Sequence, residues 1–267
     1  MDVGLRSPLV EAFRRPDVPR EVRLDAAAGL VAPRGQEQLA LLALLVDDDD
    51  AEVRATAERT LAALPPLAVA GVLARADTPA DLVRFFGARG LAPADTPSPD
   101  DETPLFDPGD ELRWPTAEDG AADSGAAPML SLTQQVQQMG VVERVRAAMK
   151  GSREVRTMLI RDPSKMVASA VLSSPRLTGS EIESFAKMTS VSDDVLRAIG
   201  QNRAWVKNYG VAHALVRNPK TPVAMSLTLL QRLVERDVRS VAMDRNVPEP
   251  LRLAARRRLV KGDDGRS

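Results

Sequence analysis

Apolar residues recur at intervals of three and four along most of the chain, the spacing that puts side chains on one face of a helix. They fall at Leu39, Leu42, Leu45 and Val46, and again at Leu67, Val69, Val72 and Leu73. Between these stretches lie three blocks that align with one another. Val22-Arg23, Val53-Arg54 and Val83-Arg84 are 31 and 30 residues apart. The same register aligns Ala26, Ala57 and Gly87, then Leu30, Leu61 and Leu91. Each block predicts a helix with a small residue where a neighbour approaches closely. A helix pair that recurs every ~30–40 residues and cannot bury its own apolar face predicts an α-solenoid of stacked helical hairpins.

The second half is punctuated differently. Helices are expected to end at Asp162, Ser174, Asn202, Asn218 and Asn246, four of them close to a proline. Ser174 to Asn218 is 44 residues, and so is Asn202 to Asn246. Asn tolerates the left-handed conformation that closes a helix, and a following Pro cannot extend it. Within Asn218-Pro219-Lys220-Thr221-Pro222, Thr221 is expected to cap the next helix, with Pro222 in its first turn. Thr178 and Glu181 have the spacing of a capping box. Asp47–Asp50 is expected to end one helix and, through Asp50, to cap the next.

Residues 94–128 show no apolar period. They hold ten acidic residues against Arg113, a net −9. Such a segment buries too little apolar surface to offset its ordering entropy, and disorder is expected. The expected organisation is therefore a helical module over 1–93, a disordered acidic linker over 94–128, a basic helical-repeat module over 129–261 and a frayed tail over 262–267.

Two stretches carry a family resemblance. EVRATAERTLAAL, Glu52 to Leu64, resembles a helix of HEAT-type repeats. ALVRNPKTPVAMSLTLL, Ala214 to Leu230, resembles the bacterial leucine-rich-repeat variant, an α-solenoid with Asn-Pro-x-Thr-Pro turns. The second half is also similar to an uncharacterised bacterial repeat family. The resemblance implies an all-α fold and a binding surface, without one shared reaction. Some HEAT-like proteins are DNA glycosylases with aromatic residues in a basic groove, but no catalytic residue of theirs matches here.

Composition narrows the chemistry. The chain has no cysteine and one histidine, which excludes disulfides, thiolate sites and a multi-histidine zinc site. No phosphate-cradling glycine loop, HExxH or GxSxG motif is present, so no catalytic residue, cofactor or metal is expected. The start lacks the features of a secretory signal, and the longest apolar run, Leu39 to Val46, is too short to span a membrane. A cytoplasmic location is the expectation. The net charge of −1 hides an asymmetry: residues 1–128 carry 12 Lys/Arg and 24 Asp/Glu, whereas 129–267 carry 24 and 13. A basic half favours an anionic partner.

Three places could meet that partner. Trp205, Tyr209 and His213 recur at four-residue steps in what reads as one helix from Arg203 to Asn218. They are either rings wedged between helices, with polar tips outward, or a stacking stripe for an anionic ligand held by Arg203, Lys207, Arg217 and Lys220. The C-terminal run places Arg252 and Arg256 on one helix face, with Leu251, Ala255 and Leu259 on another. That face is either a solvated cap or a contact for nucleic acid, an acidic protein or lipid. In the linker, Phe106 and Trp114 stand among acids, as in a short docking motif, unless the segment is a plain spacer. The function expected is a non-enzymatic scaffold or adaptor whose basic module binds an acidic protein segment or other polyanion, with the linker competing for the same face. A nucleic-acid-binding solenoid is the alternative.

Overall fold

The computed structural model describes residues 4–32, 34–98, 105 and 132–264, and among them every regular element is an α-helix. The chain divides into two compact units, Met1–Arg176 and Leu177–Ser267. The first holds α1 (Pro8–Phe13), α2 (Arg20–Ala27), α3 (Gly35–Leu45), α4 (Ala51–Ala63), α5 (Pro66–Leu73), α6 (Ala80–Gly87), α7 (Leu132–Gln138), α8 (Val141–Lys150), α9 (Arg153–Leu159) and α10 (Lys165–Ser173). The second holds α11 (Gly179–Lys187), α12 (Asp193–Gln201), α13 (Arg203–Val206), α14 (Tyr209–Arg217), α15 (Val223–Leu230), α16 (Glu235–Met243) and α17 (Glu249–Asp264). Phe106 and Trp114 lie outside the described residues.

The units do not divide in the linker, where the sequence places a boundary. Helices from both sides of it share the first unit. Helix α1 packs chiefly on α10, and α2 touches α8. Leu9 and Val10 of α1 are fully buried, and the Leu9 N–H donates to Ser173 Oγ at 3.2 Å. Arg146 of α8 pairs with Asp25 of α2 at 2.5 Å. The reason is apolar area: Val145 and Ala148 of α8, with Val167, Ala170 and Val171 of α10, leave water completely or nearly so. The linker's beginning is also placed, against the expectation of disorder. Ala94 N–H donates to Ala70 O at 2.9 Å and Ser98 N–H to Gly71 O at 2.8 Å.

Three first-half helices keep nearly the expected spacing, with one correction of register. Helices α2, α4 and α6 start after Pro19, Asp50 and Pro79, so their spacing is 31 and then 29 residues. Val22, Val53 and Leu82 are equivalent and fully buried, and Ala26, Ala57 and Phe86 follow one turn later, also buried. Val83 is half-buried and Gly87 is exposed, so neither holds the core position expected of it. The Pro79 start advances the third helix by one residue. As expected, Asp50 caps α4, accepting from the N–H groups of Glu52 and Val53. Helices α2 and α4 are then tied by Arg20 to Asp50 and Glu52, and by Arg23 to Asp48.

In the second unit a new helix starts every 12 to 16 residues, the single turn α13 aside. Helix α14 touches α11, α12, α15 and α16, and α17 touches α15 and α16. The core is aliphatic, with Phe185 its one large ring; Ile182, Leu196, Ile199, Leu215 and Val241 are fully buried around it. Thr178 and Glu181 form the expected capping box on α11. Thr221 departs from expectation. Pro222 is itself the N-cap of α15, and the buried Thr221 Oγ1 has no hydrogen-bond partner among the described residues.

The 44-residue spacing has a physical meaning for one of its two pairs. Ser174 follows α10 and donates from Oγ to Met149 O, at the end of α8, at 2.9 Å. Asn218 follows α14 and donates from Nδ2 to Ala186 O at 2.8 Å and Met188 O at 3.0 Å, at the end of α11. Each side chain satisfies C-terminal carbonyls that a helix cannot bond internally. The other pair is not equivalent: Asn202 follows α12 directly, whereas the residue directly after α16 is Asp244, two residues before Asn246.

Candidate functional site

The aromatic stripe is broken. The chain from Arg203 to Asn218 is two helices, because Asn208 leaves helical geometry (φ −67°, ψ 121°) and its side chain accepts from Gly210 N–H at 2.8 Å to cap α14. Trp205 therefore belongs to the short α13 rather than to α14, and is half-buried. Tyr209 and His213 remain together on α14, stacked nearly parallel with centroids 6.3 Å apart. Gly210 lies between them in sequence, against the Glu183 side chain of α11. A β-carbon there would fall 2.4 Å from the Glu183 carboxylate.

Tyr209 is 41% exposed, yet its hydroxyl is committed. It donates to the Asp237 carboxylate and accepts from Val234 N–H at 3.2 Å. Burial of the hydroxyl, and then the Asp237 hydrogen bond, raise the phenol above its ordinary pKa. These bonds fix the start of α14 beside the start of α16. Val234 next to it is 56% exposed. The His213 ring is half-buried and makes no hydrogen bond among the described residues.

The expected cations separate into two groups. One group serves the fold. Arg217 pairs with Asp244 at 2.9 Å, and Lys220 donates to Val191 O at 3.2 Å. The Asn246 N–H, followed by Arg217, holds the Asp244 carboxyl below its ordinary pKa. Arg258 donates to Leu230 O and Leu233 O, closing the end of α15. In the first unit Arg156 and Arg176 do the same for Gly151 O and Lys150 O. Part of the basic content of the second half is thus helix-end chemistry.

The other group is free. Arg203 and Lys207 flank α13, and Arg232 and Arg236 flank the start of α16; all four are exposed with no ion pair among the described residues. Arg256 and Arg257 on α17 are likewise exposed and unpaired, whereas Arg252 is half-buried. Leu251 and Ala255 face the core as expected. Acids in the unit are mostly engaged: Glu183 with Lys187, Asp193 with Arg197, Glu235 with Arg239, Asp237 with Tyr209 and Asp244 with Arg217. Arg232, Val234 and Arg236 were not singled out by sequence. The Tyr209 bond to Val234 N–H, across 25 residues, sets this stretch at the start of α14.

Counted by compact unit, the asymmetry is smaller than by halves. The first unit has 20 Lys/Arg and 27 Asp/Glu, net −7; the second has 16 and 10, net +6. Among the described residues, no group of three His, Asp or Glu side chains is placed to hold a metal. No helix of the described residues is long and apolar enough to cross a membrane. Comparison with protein-family models, curated proteins and solved structures finds no match for this chain.

Proposed function

We propose that the chain is a non-enzymatic, cytoplasmic α-solenoid scaffold whose second unit binds an acidic protein segment along the edge where α13, α14 and α16 begin. The observation that carries this reading is the pairing imbalance. Arg203, Lys207, Arg232 and Arg236 are exposed and unpaired, while Glu235 and Asp237 beside them are already held by Arg239 and Tyr209. An incoming carboxylate segment would meet four uncommitted cations and the exposed faces of Tyr209 and Val234. Each exposed pair contributes only about 0–1 kcal/mol and is screened beyond roughly 8–10 Å, so the affinity is cumulative and salt-sensitive.

The test is fluorescence anisotropy with labelled polyglutamate and the full chain at 50 mM salt. Arg232→Glu/Arg236→Glu is expected to weaken binding at least tenfold. Lys187→Glu/Arg245→Glu makes the same charge change at the C-terminal ends of α11 and α16 and is expected to weaken it less than threefold. Equal losses from both variants would mean that net charge alone attracts the probe, and the reading fails.

A second reading has one observation of its own. The exposed Tyr209 ring, stacked on His213 among cations, is the platform that unpaired bases use in single-stranded nucleic-acid binding. A single-stranded oligonucleotide that binds more tightly than polyglutamate at 150 mM salt, and loses that binding with Tyr209→Leu, selects it.

A further inference from the structure

We propose that α17 is a contact between two copies of this chain. The two α17 helices lie antiparallel about a two-fold axis at Leu253, and Glu249 of each copy meets Arg257 of the other. Helix α17 has a well-defined inner face. Leu251 and Ala255 are buried there, and Arg258 donates to Leu230 O and Leu233 O. At 3.6 residues per turn, Leu253 stands about 200° around the helix from Leu251, on the outer side. It is 43% exposed, a large apolar side chain turned to water.

Glu249 and Arg257 stand four residues before and four residues after Leu253. The three make one ridge of the helix surface, spaced about 6 Å apart along the axis. Both charged side chains are exposed and form no ion pair among the described residues. Arg257 has no acid three or four residues away to pair with. Glu249 has Arg252 three residues on, but Arg252 is half-buried and the two are not paired. Glu249 and Arg257 are about 12 Å apart along the axis, too far to neutralise each other. The outer ridge of α17 therefore reads acid, leucine, base, with both charges uncommitted.

That order decides the occupant. A purely acidic segment or an anionic lipid surface would satisfy Arg257 but repel Glu249. The face calls for a partner with a base opposite Glu249, an apolar side chain opposite Leu253 and an acid opposite Arg257. The same ridge of a second copy, run in the reverse direction, supplies all three at the same spacing. Two-fold symmetry then makes each unlike-charge contact twice, as a self-complementary interface does. A parallel pair would instead set Glu249 on Glu249 and Arg257 on Arg257. Ridges of residues four apart pack with helix axes about 8–10 Å apart, which brings the two Leu253 side chains together on the axis. One helix from each copy makes a contact at the small end of specific interfaces, so the dimer is weak and forms at high concentration. Its ion pairs are exposed, so it weakens with salt.

The test uses the full chain in two arms. The chain has no cysteine, so Leu253→Cys introduces a single thiol. With copper-phenanthroline as oxidant, it is expected to form a disulfide-linked dimer at least tenfold faster than Leu67→Cys at equal concentration. Leu67 is the more exposed of the two, so random collision would favour it instead. In the second arm, dimerisation is measured by sedimentation equilibrium at low salt. Glu249→Arg and Arg257→Glu are each expected to weaken it at least fivefold. The double reversal Glu249→Arg/Arg257→Glu restores the self-complementary order and is expected to return it to within twofold of the unaltered chain. Cross-linking of Leu253→Cys no faster than that of Leu67→Cys, or a double reversal as weak as the single ones, overturns the proposal. So does an unaltered chain that stays monomeric; polyglutamate or phosphatidylglycerol vesicles that then protect α17 from exchange would give the face to an acidic segment or a lipid surface.

Discussion

Asn218 joins two helices of the second unit with a single amide. It is 4% exposed; Nδ2 donates to two carbonyls at the end of α11, and Oδ1 accepts from Lys220 N–H at 3.1 Å. Asn218→Ala removes all three bonds and strands at least one buried carbonyl. With about 0.5–1.5 kcal/mol per lost bond, and about 1–3 kcal/mol when a buried group is left without a partner, the expected loss is about 3 kcal/mol. That is a large part of the roughly 5–15 kcal/mol that holds a domain folded. Asn218→Asp retains the acceptor for Lys220 but turns an oxygen toward the two carbonyls. It should cost at least as much as alanine at pH 7. Because the neutral acid can donate, the folded pKa of the new Asp is raised, and the loss should shrink as pH falls through it. The assay is urea unfolding followed by Trp205 fluorescence in a Trp114→Phe background, since these are the chain's two tryptophans. With a slope of about 1–3 kcal/mol per molar urea, the midpoint should fall by about 1–3 M. A fall below about 0.3 M for alanine would show that the amide does not hold the two helices together.

Three further outcomes follow from the same geometry. Gly151→Ala would place a β-carbon 2.4 Å from Ala147 O and 2.9 Å from Val155 Cγ1, and should destabilise the first unit by about 1–3 kcal/mol in a thermal melt. Arg258→Met, which uncaps Leu230 O and Leu233 O, should cost about 1–3 kcal/mol in the Trp205 assay, while Arg256→Met stays within about 0.5 kcal/mol. Asp244 has a lowered folded pKa, so its contribution is present above its unfolded pKa of about 4 and is lost as pH falls through the folded value. Asp244→Asn should therefore lower stability at neutral pH and flatten the acid limb of a stability–pH curve.

Local chemistry was legible in the sequence where a residue acts within one turn. Asp50 and the Thr178–Glu181 box cap the helices that their spacing announces. Ser174 and Asn218 stood out by spacing, although their partners, 25 to 32 residues away, did not. Asn208 shows the limit. A four-residue aromatic step reads as one helix until a side chain captures Gly210 N–H and starts another. The Val83 register failed by one residue because helix starts, unlike buried positions, leave only a weak trace. The larger miss was in how the chain is divided. An apolar face on α8 or α10 says that it must be covered, not that α1 and α2 will cover it. Net charge misled in a related way, since Arg156, Arg176 and Arg258 spend their donors on carbonyls of their own unit.

Hydrogen exchange of the full chain, with and without saturating polyglutamate, addresses the binding edge most directly. Slower exchange confined to residues 203–213 and 231–239 is the predicted result. Protection that falls on the first unit, or none at saturating probe, would contradict the account.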